Sequence, residues 1–253
     1  FKGEKLKETN LDEMTVSYSE HWAYNYNGEH VPFDQLHVMT QAPGYHWANH
    51  HCTKNHRAEE NVIAGFNMIV IDVDGNIPLE TAHELMKEYK FMTYTTKRHQ
   101  MFEGINEYGD DIIGPDRFRL IIPINYNLQL DSEEYKEFMN SFMEWLPFKT
   151  DESANQRSKK WECFDGGEYH YNMDGELLDA LPFIPKTSKN EAYKKGMQSL
   201  ENLDNLERWF AQRIASGNRN NQMIKYALAL VDSGMDLVSV QKQVHDFNKK
   251  LNN

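Results

Sequence analysis

The chain has 253 residues, of which 40% are hydrophobic and 26% charged, and a formal net charge of −12. This suits a soluble globular protein of one large domain or two small ones. It excludes tight binding to nucleic acid driven by net charge alone, which needs many Lys and Arg contacts, but leaves room for a local basic groove. No apolar stretch approaches the length of a membrane span, and the N-terminus lacks the apolar segment of a signal peptide. Two cysteines, Cys52 and Cys163, build no disulfide framework, so a reducing, cytoplasmic setting is expected. A chain that starts at Phe1 rather than Met is expected to be a fragment or a trimmed product.

Residues 1–66 read as irregular, with short β-like stretches such as Met14-Thr-Val-Ser-Tyr18. His46, His50, His51, Cys52 and His56 crowd together there, which raises the question of zinc. Their spacing matches no standard finger, so zinc is not expected and a polar, aromatic-rich loop is. Arg57 and Asn61 precede the next strand, within reach of a phosphate near its end.

Residues 67–75, Asn67-Met-Ile-Val-Ile-Asp72-Val-Asp74-Gly75, form a short apolar run rich in Ile and Val, closed by an acid, a second acid and a glycine. Such a run reads as a buried strand, and period-two alternation points Asp72 and Asp74 the same way. Two carboxylates at the end of a buried strand are costly unless neutralised, and a hard divalent cation is one solution.

Pro78 to Tyr89 reads as a helix with an apolar stripe of Leu79, Ala82, Leu85, Met86 and Tyr89. Phe91 to Thr96 reads as the next strand. Strand, helix, strand at this spacing predicts a right-handed βαβ unit with parallel strands, which brings Lys97, Arg98 and His99 close to Asp72 and Asp74. After a glycine-bearing loop, Arg117 to Ile124 is a strand with Arg117 and Arg119 on one face. Asp131 to Leu146 is a helix with a capping box of Asp131 and Glu134. Residues 167–184 predict a hairpin turning at Asp174-Gly175. Residues 186–199 are polar and Lys-rich and read as a linker, which divides the chain into a part spanning 1–185 and a helical part spanning 200–253. The latter holds three amphipathic segments separated at Ser216-Gly217 and Gly234.

Three carboxylates with nearby arginines and a histidine suit metal-assisted nucleotidyl transfer, in which a 3′-hydroxyl attacks an α-phosphate. The ordered set Ile69-Val-Ile-Asp72-Val-Asp74-Gly, Tyr94-Thr-Thr-Lys-Arg-His99 and Arg117-Phe-Arg119-Leu-Ile-Ile-Pro resembles the archaeo-eukaryotic primase superfamily, especially the primase-polymerases of phages and plasmids. The tail, Gly217-Asn-Arg-Asn-Asn-Gln-Met with Leu237 to Asn248, is similar to the small helical domain that follows the core in many such primases.

The resemblance implies an α+β fold: a primase-polymerase core with an RNA-recognition-motif-like sheet and an N-terminal α/β part, then a small helical bundle. It implies DNA primase/polymerase activity on single-stranded DNA with NTPs or dNTPs, and two Mg²⁺ or Mn²⁺ ions. It places the catalytic and metal-binding role on Asp72, Asp74 and Asp151, and nucleotide binding on His99, Lys97, Arg117, Arg119 and Arg157. Asp165 is the alternative third acid. Lys97 departs from the small hydroxyl residue common in the second motif. A helicase domain or a replicative helicase is the implied partner, and a phage or plasmid gene expressed in a host cytoplasm the implied setting.

Two other readings stay open. Asp72-Val-Asp74-Gly also resembles the first motif of haloacid-dehalogenase-type phosphatases, with Asp72 as nucleophile, and residues 109–116 mimic their late acidic motif; Asn76 and the short spacing tell against it. The other is a catalytically inactive nucleic-acid-binding module.

Overall fold

The computed structural model describes residues 6–252. In chain order the elements are β1 (Lys7–Glu8), β2 (Met14–Ser19), β3 (Asn27–Val31), α1 (Leu36–Thr40), β4 (His46–Ala48), β5 (Phe66–Asp74), α2 (Leu79–Met86), β6 (Phe91–Thr95), β7 (Phe102–Ile105), β8 (Asp111–Ile113), β9 (Arg117–Leu128), α3 (Ser132–Trp145), β10 (Trp161–Glu162), β11 (Tyr169–Asn172), α4 (Ser188–Gln198), α5 (Asn205–Ala211), α6 (Arg219–Asp232) and α7 (Leu237–Lys250). This is an α+β fold, as the sequence predicts.

The central sheet is built on β9. Its long apolar run pairs antiparallel with β5 on one side and with β6 on the other. β5 and β6 are therefore parallel, as expected of a βαβ unit, but β9 is inserted between them. The arrangement is a split βαβ. Phe66 to Ile71 are buried because both faces of the sheet are covered. On one side α3 presents Phe138, which packs edge-on against Phe66 at 5.5 Å between ring centroids. The expected capping box starts α3: Asp131 Oδ1 accepts the Glu134 N–H at 2.9 Å, and Glu134 Oε2 accepts the Asp131 N–H at 3.2 Å.

Three expectations are corrected. Within residues 6–66 the chain is more regular than expected: the β-like stretch at Met14 is β2, and β2, β3 and β4 join β10 in a second sheet of order β10-β4-β2-β3. Its closing strand lies more than a hundred residues downstream, beyond what local pattern reveals. Residues 169–178 form no hairpin. Instead β11 adds to the edge of β6, and Leu178 bridges Ile124. The tight approach at Gly175, where a Cβ would stand 2.1 Å from the Tyr89 carbonyl carbon, seats the turn against the end of α2. Most of the expected linker, 186–199, is the helix α4. Thr187 caps it by accepting the Asn190 N–H, and Tyr193 packs on Phe183 and donates to the Ser141 carbonyl at 3.0 Å. Its Lys-rich exposed face hides a short buried stripe.

The C-terminal helices bury Trp209, Phe210, Tyr226 and Phe247. They meet the rest of the chain where Trp209 packs 4.9 Å from Trp145 of α3. No helix among the described residues is long and apolar enough to cross a membrane.

Candidate active site

The acid pair sits where β5 leaves the core. Burial falls from complete at Ile71 to partial at Asp72, and Asp74 is exposed. Gly75 then turns the chain with φ +78°, a conformation that favours glycine, and a Cβ there would lie 2.9 Å from Pro115. The antiparallel register sets Arg119 opposite Asp72 and Arg117 opposite Asp74. Cross-strand partners share a face, so two acids and two arginines stand in facing pairs. Arg117 Nη1 meets Asp74 Oδ1 at 2.5 Å, and Arg119 Nε lies 3.4 Å from Asp72 Oδ1.

Arg119 is fixed from several sides. Tyr94, opposite it on β6, accepts from Nη1 at 3.0 Å, and the Tyr94 hydroxyl in turn accepts the Trp47 indole N–H at 3.0 Å. The Glu162 carbonyl accepts from the same Nη1, and the rings of Tyr94 and Trp161 flank the guanidinium. Its Nε nevertheless has no hydrogen-bond partner. Burial pushes the Asp72 carboxyl above its ordinary range; Arg119 and Lys159 oppose the shift, and Asp74 and Asp151 add to it.

Asp72, Asp74, Arg117 and Arg119 line a cleft of about 480 Å³ with Thr96, Lys97, Arg98, Glu162, Cys163, Phe164, Asp165, Pro43 and Gly44. Lys97 stands in it as expected. His99 supports it indirectly: its Nδ1 accepts the Arg117 backbone N–H at 3.1 Å and so anchors the start of β9. Arg157 is not brought to the cleft. Its guanidinium pairs with Glu59 at 2.7 Å and donates to the Leu130 carbonyl, because the loop after the short turn 152–155 folds back over the start of α3.

The two candidates for the third acid divide the expected properties. Asp151 donates its backbone N–H to the Asp72 carbonyl at 3.3 Å, on the edge of β5 away from β9. Its carboxylate caps the turn, accepting from the Ser153 N–H at 2.9 Å and hydroxyl at 2.6 Å, and pairs with Lys159 at 3.2 Å. Burial would raise its pKa, but Ser153 and Lys159 outweigh burial and hold it below the ordinary range. Asp165 is exposed and lines the cleft.

Asp72 and Asp74 place carboxylate oxygens, the donors a hard divalent cation takes, on one face of β5. Among the described residues no group of three or more His, Cys, Asp or Glu side chains is gathered as a metal cage. Mg²⁺ commonly binds through one or two carboxylates and completes its shell with substrate phosphates and water.

The histidine-rich segment disperses. His50 is buried between Phe66 and Tyr135, His51 contacts the Glu29 carbonyl, and His56 stacks on Tyr24. The acids of residues 109–116 also have local partners: Asp116 Oδ2 accepts the Leu79 N–H at the start of α2, and Asp110 contacts Asn106. Pattern reading missed the cleft wall made by Pro43, Gly44 and 162–164. Backbone bonds join it, from Cys163 to Tyr45 and from Phe164 to Thr40, and the only sequence signal was the break at Gly166-Gly167. Burial pushes the Cys163 thiol up to about 12, with Arg119 opposing and Glu162 adding, so it is a packed wall rather than a nucleophile.

On an α+β core, two acids thus face two arginines across two strands at the mouth of a cleft that also holds Lys97, Arg98, Glu162 and Asp165. Comparison with protein families matches residues 207–253 to Primase C terminal 1 (PriCT-1). The chain thus carries a primase C-terminal domain where the resemblance places one, which is consistent with a primase-type replication protein. No curated protein and no solved structure matches the chain.

Proposed function

We propose that the chain is the catalytic unit of a primase-polymerase, joining NTPs or dNTPs on a single-stranded DNA template. The observation that carries this reading is the register Asp72–Arg119 and Asp74–Arg117 at the mouth of a cleft that also holds Lys97 and Arg98, in a chain ending in a primase C-terminal domain.

In this reading Asp72 and Asp74 hold the metal, with Asp151 as third acid and Asp165 as its alternative. Bound Mg²⁺ or Mn²⁺ supplies charge neutralisation to the polyphosphate and the attacking 3′-hydroxyl. Arg117, Arg119 and Lys97 bind the triphosphate, exchanging their pairs with the carboxylates for pairs with phosphate oxygens. The unpartnered Nε of Arg119 is available for that exchange. His99 keeps Arg117 in place through its backbone, and Tyr94 orients Arg119. Arg157 has a structural role beside Glu59. A helicase domain or replicative helicase remains the proposed partner.

The test is a product gel with single-stranded DNA, labelled NTPs or dNTPs in parallel, and Mg²⁺ or Mn²⁺. Products lost in Asp72→Ala and Asp74→Ala are expected. Asp151→Ala and Asp165→Ala then identify the third acid as the one whose loss abolishes synthesis. Absence of product with every template, with or without a primer, would sink the reading.

A further inference from the structure

A second surface adjoins the cleft and plays no part in the chemistry above. The loop between β2 and β3 carries Trp22 and Tyr24, 61% and 51% exposed. Large aromatic rings so exposed gain little from folding. Their loop is nonetheless rigidly built. His21 Nδ1 accepts the N–H groups of Ala23 and Tyr24, both at 3.0 Å. Arg57 donates to the Trp22 carbonyl through Nε at 3.1 Å and Nη2 at 2.8 Å. His21 stacks on Trp22 at 5.6 Å, and Tyr24 stacks on His56 at 4.5 Å. The result is a fixed run of ring faces.

Cations connect these rings to the cleft. Arg57 Nη1 also donates to the Ser158 carbonyl, at the head of Ser158-Lys159-Lys160. Lys159 is engaged with Asp151, but Lys160 has no ion pair or hydrogen bond among the described residues. Burial lowers its basicity and Glu162 opposes; the bond from Arg57 to the Ser158 carbonyl holds the guanidinium against the chain two residues before Lys160. His46 stands in the same group, with a buried Nδ1 that has no partner. Lys160 leads directly into β10, where Glu162, opposite His46, lines the cleft, so this segment continues the cleft wall. Cations beside fixed ring faces suit a ligand with both a regular anionic backbone and flat apolar faces.

We infer that Trp22 and Tyr24, with Arg57 and Lys160, form a binding site for single-stranded nucleic acid, its bases stacked on the rings and its phosphates on the cations. A stacking platform and a basic track together are what strand binding without sequence readout requires. The local grouping of cations resolves the apparent conflict with a net charge of −12. The site deepens the proposed function, since it would lead a template to the cleft.

The test is fluorescence anisotropy of a labelled oligothymidylate of about 16 nucleotides, with the whole chain and no nucleotide or divalent metal. Trp22→Ala and Tyr24→Ala are each expected to weaken binding on the order of ten-fold, and Trp22→Phe to keep most of the affinity. Lys160→Gln should reduce the slope of log affinity against log salt by about 1. An oligouridylate should show the same losses, because neither contact reads the 2′-hydroxyl. Thermal unfolding confirms that these surface variants are folded. Parent-like affinity in Trp22→Ala, together with a parent-like salt slope in Lys160→Gln, overturns the site. This readout is independent of synthesis. Strand binding through Trp22 without any product keeps the site and removes the polymerase reading; synthesis with binding indifferent to Trp22 does the reverse.

Discussion

Two carboxylates, half-buried Asp72 in the cleft and buried Glu207 in the C-terminal helices, face cations in different ways. The Glu207 side chain is 4% exposed, and Lys250 Nζ reaches its two oxygens at 2.9 and 2.8 Å. Glu207 also completes the capping box of α5, accepting the Asp204 N–H at 3.2 Å while Asp204 accepts the Glu207 N–H at 2.8 Å. Its needs are met inside the chain. Asp72 is 31% exposed, its nearest arginine nitrogen lies 3.4 Å away without a hydrogen bond, and burial and neighbouring acids raise its pKa. A satisfied carboxylate holds a fold together; an incompletely satisfied one at the wall of a cleft is available to a ligand.

The comparison can be broken in descending steps. Phe247→Ala is expected to have the largest effect. Phe247 is fully buried against Tyr226, and its removal should cost about 3–5 kcal/mol in denaturant unfolding. Asp72→Ala comes next. Synthesis should fall by at least about 10²-fold, measured on the product gel, while its unfolding midpoint moves less than that of Glu207→Ala. Glu207→Ala should destabilise by about 1–3 kcal/mol, combining a lost cap with a broken pair whose lysine is partly solvated. If Asp72→Ala proves the more destabilising of the two, the cleft acid is structural and the distinction fails.

The effect that is smallest at neutral pH, because it develops only in acid, is a pH dependence belonging to the core. Burial pulls the His50 imidazole down to about 3, with Arg157 adding and Glu59 opposing. The unfolded chain binds this proton more readily than the folded one, at an ordinary value of about 6.5. The stabilising contribution is therefore complete above that value and is lost as the pH falls from there towards the folded value. Unfolding midpoints of the parent should decline with acid over this window, and more steeply than those of His50→Phe. Parallel curves would show that His50 is not the group responsible.

The sequence by itself determined the elements whose information is local. Alternation along 67–75 placed Asp72 and Asp74 on one face, helical spacing and the capping box announced α3, and the tail resembled the domain later matched at 207–253. Only the tertiary structure decided what surrounds the acids. Insertion of β9 between β5 and β6 gave each acid its arginine, and pairing of β10 with β4 built the cleft wall. The same long-range folding took Arg157 away to Glu59, although the resemblance implied a nucleotide-binding place for it. The physical reason is that side-chain direction along a strand or helix follows from neighbouring residues, whereas strand pairing joins residues far apart in the chain and leaves no periodic trace in either segment.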